Sequence, residues 1–129
     1  RRCLVIADGF YEWRRDGKAK TPHLIRLRSN EPFALAGIWT FDRSSPDKIP
    51  TCAILTCGPN ELMARIHDRM PVILSPQAQQ RWLDRITHPG ELCDLLMPYP
   101  AVEMDAYAVS PAVNSAARDL PTCIAPAEG

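Results

Sequence analysis

Three turn signals in the first 32 residues constrain this chain most. They are Asp8-Gly9, Asp16-Gly17 and Asn30-Glu31-Pro32. Asp and Asn bond their own backbone and Gly tolerates positive φ, so each group predicts a turn. The runs between them are apolar and short, which suits strands. Cys3–Ala7 predicts a buried strand, Phe10–Arg15 a second and Thr21–Arg28 a third. Arg15-Asp16-Gly17-Lys18 predicts a hairpin between the last two. Pro22 has no amide proton, which predicts an edge position for the third strand. Phe33–Trp39 predicts a strand buried on both faces, with Gly37 at a bulge or a close backbone approach. A polar loop is expected over Asp42–Pro50 and another buried strand over Thr51–Cys57.

Helical signals follow. Asn60 is placed to cap a short helix through Ile66. Ser75-Pro76 predicts N-cap and first residue of a helix to Asp84, with Ala78, Trp82 and Ile86 turned inward. A last helix is expected after His88-Pro89, burying Leu92, Leu95 and Leu96, with His88 at the surface. Val102–Val109 predicts a strand, and Ala116–Gly129 a polar tail with one apolar patch at Cys123-Ile124. The pattern implies one α+β domain.

Two short stretches concentrate chemistry. In Ala7-Asp8-Gly9-Phe10-Tyr11-Glu12-Trp13 a single carboxylate lies within an aromatic run. Strand alternation puts Phe10, Glu12 and Arg14 on one face and Tyr11 and Trp13 on the other. A carboxylate partly withdrawn from water suits proton transfer, although a strand glutamate paired with an arginine would look the same. In Ile66-His67-Asp68-Arg69-Met70-Pro71, a histidine sits between a helix end and an apolar strand. It could move protons near neutral pH or simply sit against a helix C-terminus.

Composition narrows the class. The chain is 46% hydrophobic and 23% charged, as a globular domain is, and no apolar run reaches bilayer-spanning length. Net charge is zero but unevenly spread. Residues 1–28 hold eight basic and three acidic side chains, a net +5; the rest holds seven and twelve, a net −5. A basic segment around an aromatic strand suits single-stranded nucleic acid, through phosphate attraction and base stacking. Ordinary solvated strand edges would give the same pattern. The five cysteines lack metal-binding spacing, and no H-E-x-x-H motif occurs. They predict reduced core residues in a cytosolic protein, with no metal and no cofactor. The chain opens Arg1-Arg2-Cys3-Leu4 without a leader or initiator methionine, which predicts a piece of a longer protein.

The two chemical stretches together resemble the signature blocks of the SRAP (SOS-response-associated peptidase) family. Phe33–Trp39, Ile54–Cys57 with Asn60-Glu61-Leu62, and Val109-Ser110-Pro111 with Val113-Asn114 resemble its supporting blocks. The resemblance implies a curved, antiparallel or mixed, barrel-like sheet with short flanking helices around a single-strand DNA groove. It implies covalent trapping of abasic sites by a cysteine freed when the initiator methionine is removed, whose amine and thiol close on the sugar aldehyde as a thiazolidine. It assigns proton handling to Glu12 and His67, and DNA contact to Trp13, Arg69 and Thr56. A bacterial cytoplasmic monomer, at the nucleoid during DNA damage, is the expected setting.

The Met-Cys-Gly-Arg opening and the Asn-Ala-Arg block of the family are not in this sequence. Cys3 follows two arginines inside the first strand, so it has no free α-amine. The chain is therefore expected to lack the nucleophile, and its first strand to lack partners at an open edge. Two other readings stay open: a non-catalytic single-strand DNA-binding module, and a cysteine peptidase.

Overall fold

A computed structural model describes residues 1–44 and 46–127. Parts of the expected loop and tail, at Ser45, Glu128 and Gly129, lie outside the described residues. The fold is α+β. Strands β1 (Arg2–Ala7), β4 (Phe33–Phe41) and β5 (Pro50–Ile54) form one antiparallel sheet, with β8 (Ile73–Leu74) also on β4. Strands β2 (Phe10–Asp16), β3 (Ala19–Leu27) and β9 (Met104–Ala108) form a second. β6 (Thr56–Cys57) and β7 (Met70–Pro71) make a small ribbon. Among the described residues the sheets do not close into the barrel-like sheet expected. β1 and β2 are consecutive yet join different sheets, β1 pairing β4 and β2 pairing β3.

The hairpin forms as its turn chemistry dictates, Gly17 taking φ of +59°. Its second strand is central rather than an edge, contrary to the expectation from Pro22. Pro22 pairs with Trp13 on the β2 side. On the other side the β9 ladder runs only from Met104↔Leu27 to Ala108↔His23, so the imide falls just past its end. There the Pro22 carbonyl still accepts from Val109 N–H at 3.0 Å. The first strand has a partner, contrary to expectation, although it still stands at the edge of its sheet. It pairs with β4 along its whole length, from Arg2↔Ile38 to Ala7↔Phe33.

Only Phe33–Gly37 of β4 is buried; Ile38 is exposed, where the strand runs on past the core to pair with β5. The expected Thr51–Cys57 strand is broken at Leu55, and all five residues of β5 are exposed. Gly37 does mark a close approach: a Cβ there would lie 2.9 Å from Cys3 Sγ. Of the five free cysteines Cys123 is buried and Cys3 and Cys57 are half-buried, Cys57 against both core clusters, but Cys52 and Cys93 are exposed, so the core assignment fails for those two. Among the described residues no cluster of three His, Cys, Asp or Glu could hold a metal.

Helix α1 (Pro76–Leu83) starts as expected, Ser75 Oγ accepting Ala78 N–H at 3.2 Å. Trp82 is buried, but Ile86 is 91% exposed. Asp84 is already extended, so the helical period ends before it reaches Ile86. Helix α2 (Pro89–Cys93) is capped by His88, whose Nδ1 accepts Gly90 N–H at 3.1 Å. Val102 lies in a 3-10 turn (Ala101–Glu103), not in the strand, and is exposed. No helix among the described residues is long and apolar enough to cross a membrane.

Two apolar clusters tie these layers together. Ile25, Met63, Met70 and Met104 are fully buried and join the three-stranded sheet to the ribbon. Ala36, Val72, Leu74 and Trp82 seat α1 on the four-stranded sheet. Each large side chain so buried contributes about 1.5–3 kcal/mol. A ring of three backbone hydrogen bonds, Ala36 to Val72, Val72 to Leu55 and Leu55 to Ala36, each 2.9 Å, locks β4 to the strand ends leading into the ribbon.

Candidate functional site

The alternation of β2 does the first part of the work. Phe10 turns inward and meets Phe33 edge-on at 6.4 Å. Glu12, on the same face, reaches past the core rim, its side chain 25% exposed. Its Oε1 accepts Trp13 N–H at 3.1 Å and lies 3.9 Å from His67 Nε2. Tyr11 and Trp13 point the other way. The Tyr11 hydroxyl donates to the Cys123 carbonyl at 3.2 Å, and Trp13 Nε1–H donates to Asn114 Oδ1 at 2.7 Å. The tail is thus docked rather than loose: Tyr107 also donates to the Ile124 carbonyl at 2.8 Å.

His67 is delivered by a one-turn 3-10 helix, Met63–Arg65, shorter than the helix expected here. The cap is as expected, because Asn60 Oδ1 accepts Met63 N–H at 2.9 Å. Asn60 Nδ2 donates to the Tyr99 carbonyl at 2.7 Å, pinning the turn to the segment before β9. The backbone then closes on itself, Ile66 and His67 N–H both donating to the Met63 carbonyl at 2.8 Å.

The imidazole has partners for two protonation states. Nδ1 faces the Arg69 N–H at 3.2 Å and an Asp68 carboxylate oxygen, also at 3.2 Å. With the proton on Nε2, Nδ1 accepts from Arg69 and Nε2–H faces Glu12. With both nitrogens protonated, Nδ1–H faces Asp68 and the Arg69 carbonyl at 3.3 Å. Glu12 and His67 are too far apart for a direct hydrogen bond but within ion-pair reach.

Beside this pair opens a cleft of about 850 Å³. Trp13, Arg14 and Arg15 line it from β2, and Arg65, His67 and Asp68 from the opposite wall. Arg14 meets Asp16 at 3.7 Å in an exposed pair of little energetic weight. Arg69 and Thr56 lie beyond His67, outside this lining. Arg69 Nε donates to Thr56 Oγ1 at 2.9 Å, and Nη2 to the same oxygen and to the Thr56 carbonyl. Below them burial pushes the Cys57 thiol above its ordinary value, with Arg69 opposing.

The structure therefore brings Glu12 to His67, puts His67 and Trp13 on one cleft, and sets Arg69 and Thr56 outside its lining. Cys3 is spent on packing, opposite Gly37, with its carbonyl accepting Trp82 Nε1–H at 3.0 Å. Asn114, Arg65, Arg14 and Arg15 were not singled out as site residues by sequence. Their signal was there only in part, as the Val113-Asn114 block and the basic excess near the start.

The family model described as SOS response associated peptidase (SRAP) matches residues 1–116. The chain belongs to this family. It is 46% identical to the abasic site processing protein YoqW of Bacillus subtilis (strain 168), over 96% of this chain and 57% of that protein. It is 34% identical to the abasic site processing protein HMCES of Gallus gallus, over 99% of this chain and 44% of that protein. A solved structure from Bacteroides thetaiotaomicron superposes with a TM-score of 0.88 at 31% identity, covering 98% of this chain and 57% of that one. The chain spans about half the length of the relatives it matches. The Phe-Tyr-Glu-Trp and His-Asp-Arg-Met-Pro stretches of this chain are far apart in sequence; the fold makes their acidic and imidazole groups neighbours.

Proposed function

We propose that this chain supplies the acid/base pair and part of the single-strand DNA groove of a protein that traps abasic sites covalently. The carrying observation is the Glu12 carboxylate 3.9 Å from His67 Nε2, beside an aromatic and arginine-lined cleft. The names of the relatives agree with abasic DNA as the substrate. In the chemistry that the family resemblance implies, a cysteine amine adds to the sugar aldehyde and water leaves as an imine forms. The thiol sulfur then adds to the imine carbon, and its proton passes to nitrogen. Each step moves a proton, and sugar-ring opening moves one more. Glu12 accepts and His67 donates in this scheme, and reversal exchanges the roles. Trp13 offers a face for stacking. Arg69 spends its Nε and Nη2 protons on Thr56, leaving its two Nη1 protons for a phosphate. Such a protein would work as a cytoplasmic monomer at the bacterial nucleoid.

The test is Glu12→Gln in the full-length protein, which keeps shape and removes the base. Covalent adduct formation on an abasic single strand, read on a denaturing gel, should slow by about 10²–10⁴-fold. Affinity for the undamaged strand should stay within about twofold, because an ionised carboxylate has no proton to donate to a phosphate. Equal loss of both would make Glu12 structural. His67→Ala should act mainly on ring opening or adduct reversal. A protein that binds single strands tightly but forms no adduct would instead be a binding module.

A further inference from the structure

Trp13 is held by one contact that crosses almost the whole sequence. Its Nε1–H donates to Asn114 Oδ1 at 2.7 Å, from 101 positions away. Indole nitrogen is only a donor, so the facing amide atom must be the oxygen. Asn114 ends a 3-10 turn, Pro111–Asn114, that is built to stay put. Pro111 presets its first residue, and Ser110 Oγ accepts Ala112 N–H at 3.2 Å. The turn packs on β3, the strand paired to β2. The indole and its acceptor are therefore mounted on the same sheet. An aromatic side chain without a polar tether has a broad χ2 and turns readily at a surface. The tether fixes which face of the indole the cleft receives.

We propose that Asn114 is a positioning residue for nucleic-acid binding: its Oδ1 holds the Trp13 indole as the stacking wall of the cleft. This rests on reading the cleft as a single-strand groove. Asn114 is exposed, and an indole N–H released there can bond water. Its loss therefore costs orientation rather than folding. A merely structural residue would behave in the opposite way.

The experiment is a double-mutant cycle in the full protein: wild type, Asn114→Ala, Trp13→Phe and the double variant. Each is titrated against a fluorescent oligothymidylate at fixed salt. The ¹H–¹⁵N indole signals are recorded in parallel, Trp13→Phe identifying the Trp13 signal. Asn114→Ala should weaken binding about fivefold, the worth of one oriented hydrogen bond. It should also move the Trp13 signal, while Asn114→Asp, which keeps an acceptor oxygen, should leave that signal near its place. In the Trp13→Phe background, Asn114→Ala should change nothing. An equal loss in both backgrounds, or an unmoved Trp13 signal, overturns the proposal. If the signal moves but wild type does not bind the oligonucleotide, the single-strand reading has failed, and the stacking role with it; the tether alone would stand.

Discussion

Asn60 offers the sharpest test of how the site is held. Its side chain is buried and closes two segments at once: Oδ1 takes Met63 N–H and Nδ2 gives to the Tyr99 carbonyl. The amide orientation follows from its partners, since one is a donor and the other an acceptor. Asn60→Ala removes a cap, about 1 kcal/mol. It also strands the half-buried Tyr99 carbonyl, about 1–3 kcal/mol more. Roughly 2–4 kcal/mol should be lost, or a Tm lower by roughly 8–15 °C at this chain length. Asn60→Asp separates the two roles. It keeps the acceptor for Met63 but sets a carboxylate oxygen against the Tyr99 carbonyl. At pH 7 it should be at least as unstable as the alanine variant. As pH falls toward 4 its deficit should shrink, because a protonated carboxyl can donate where the amide did. Urea denaturation at several pH values measures both. An Asn60→Ala loss under about 0.5 kcal/mol, or an aspartate variant as stable as wild type at pH 7, would refute the reasoning.

Gly37→Ala should cost about 1–3 kcal/mol, because its Cβ would press on Cys3 Sγ at 2.9 Å. Adding Cys3→Ala should recover part of that in thermal melts, and no recovery would mean that the Ala53 carbonyl is the true obstacle. The Cys57 thiol, pushed up by burial and held back by Arg69, should alkylate slowly at pH 8–9. Arg69→Ala should slow it further, as judged by mass mapping of labelled peptides, and faster labelling would contradict the electrostatics. Burial, with the hydrogen bond to Glu103 and its charge, raises the Tyr99 phenol above 10.0. A raised folded value gives stability present below pH 10 and lost as pH climbs through that higher value. Tyr99→Phe should flatten the alkaline fall in stability, and an unchanged pH profile would count against this.

Local chemistry settled much of this protein from sequence alone. Turn residues determined the β2–β3 hairpin, and short polar side chains determined the starts of α1 and of the turn at Asn60, because a cap needs only neighbours three residues away. The paired blocks around Glu12 and His67 likewise pointed to one family. Pairing partners were a different matter. Which strand lies beside which is decided by contacts between residues far apart, so β1 going to β4, and β3 becoming central despite Pro22, could not be read from patterns of turns. Burial had the same limit: Thr51–Cys57 reads as a buried strand in sequence just as Phe33–Trp39 does, yet only tertiary packing decides which of them the core covers. The site shows both sides. Sequence named Glu12, His67 and Trp13, but the 3.9 Å approach of acid and imidazole, and the tether from Asn114 to Trp13, exist only because the fold brings together residues 55 and 101 positions apart.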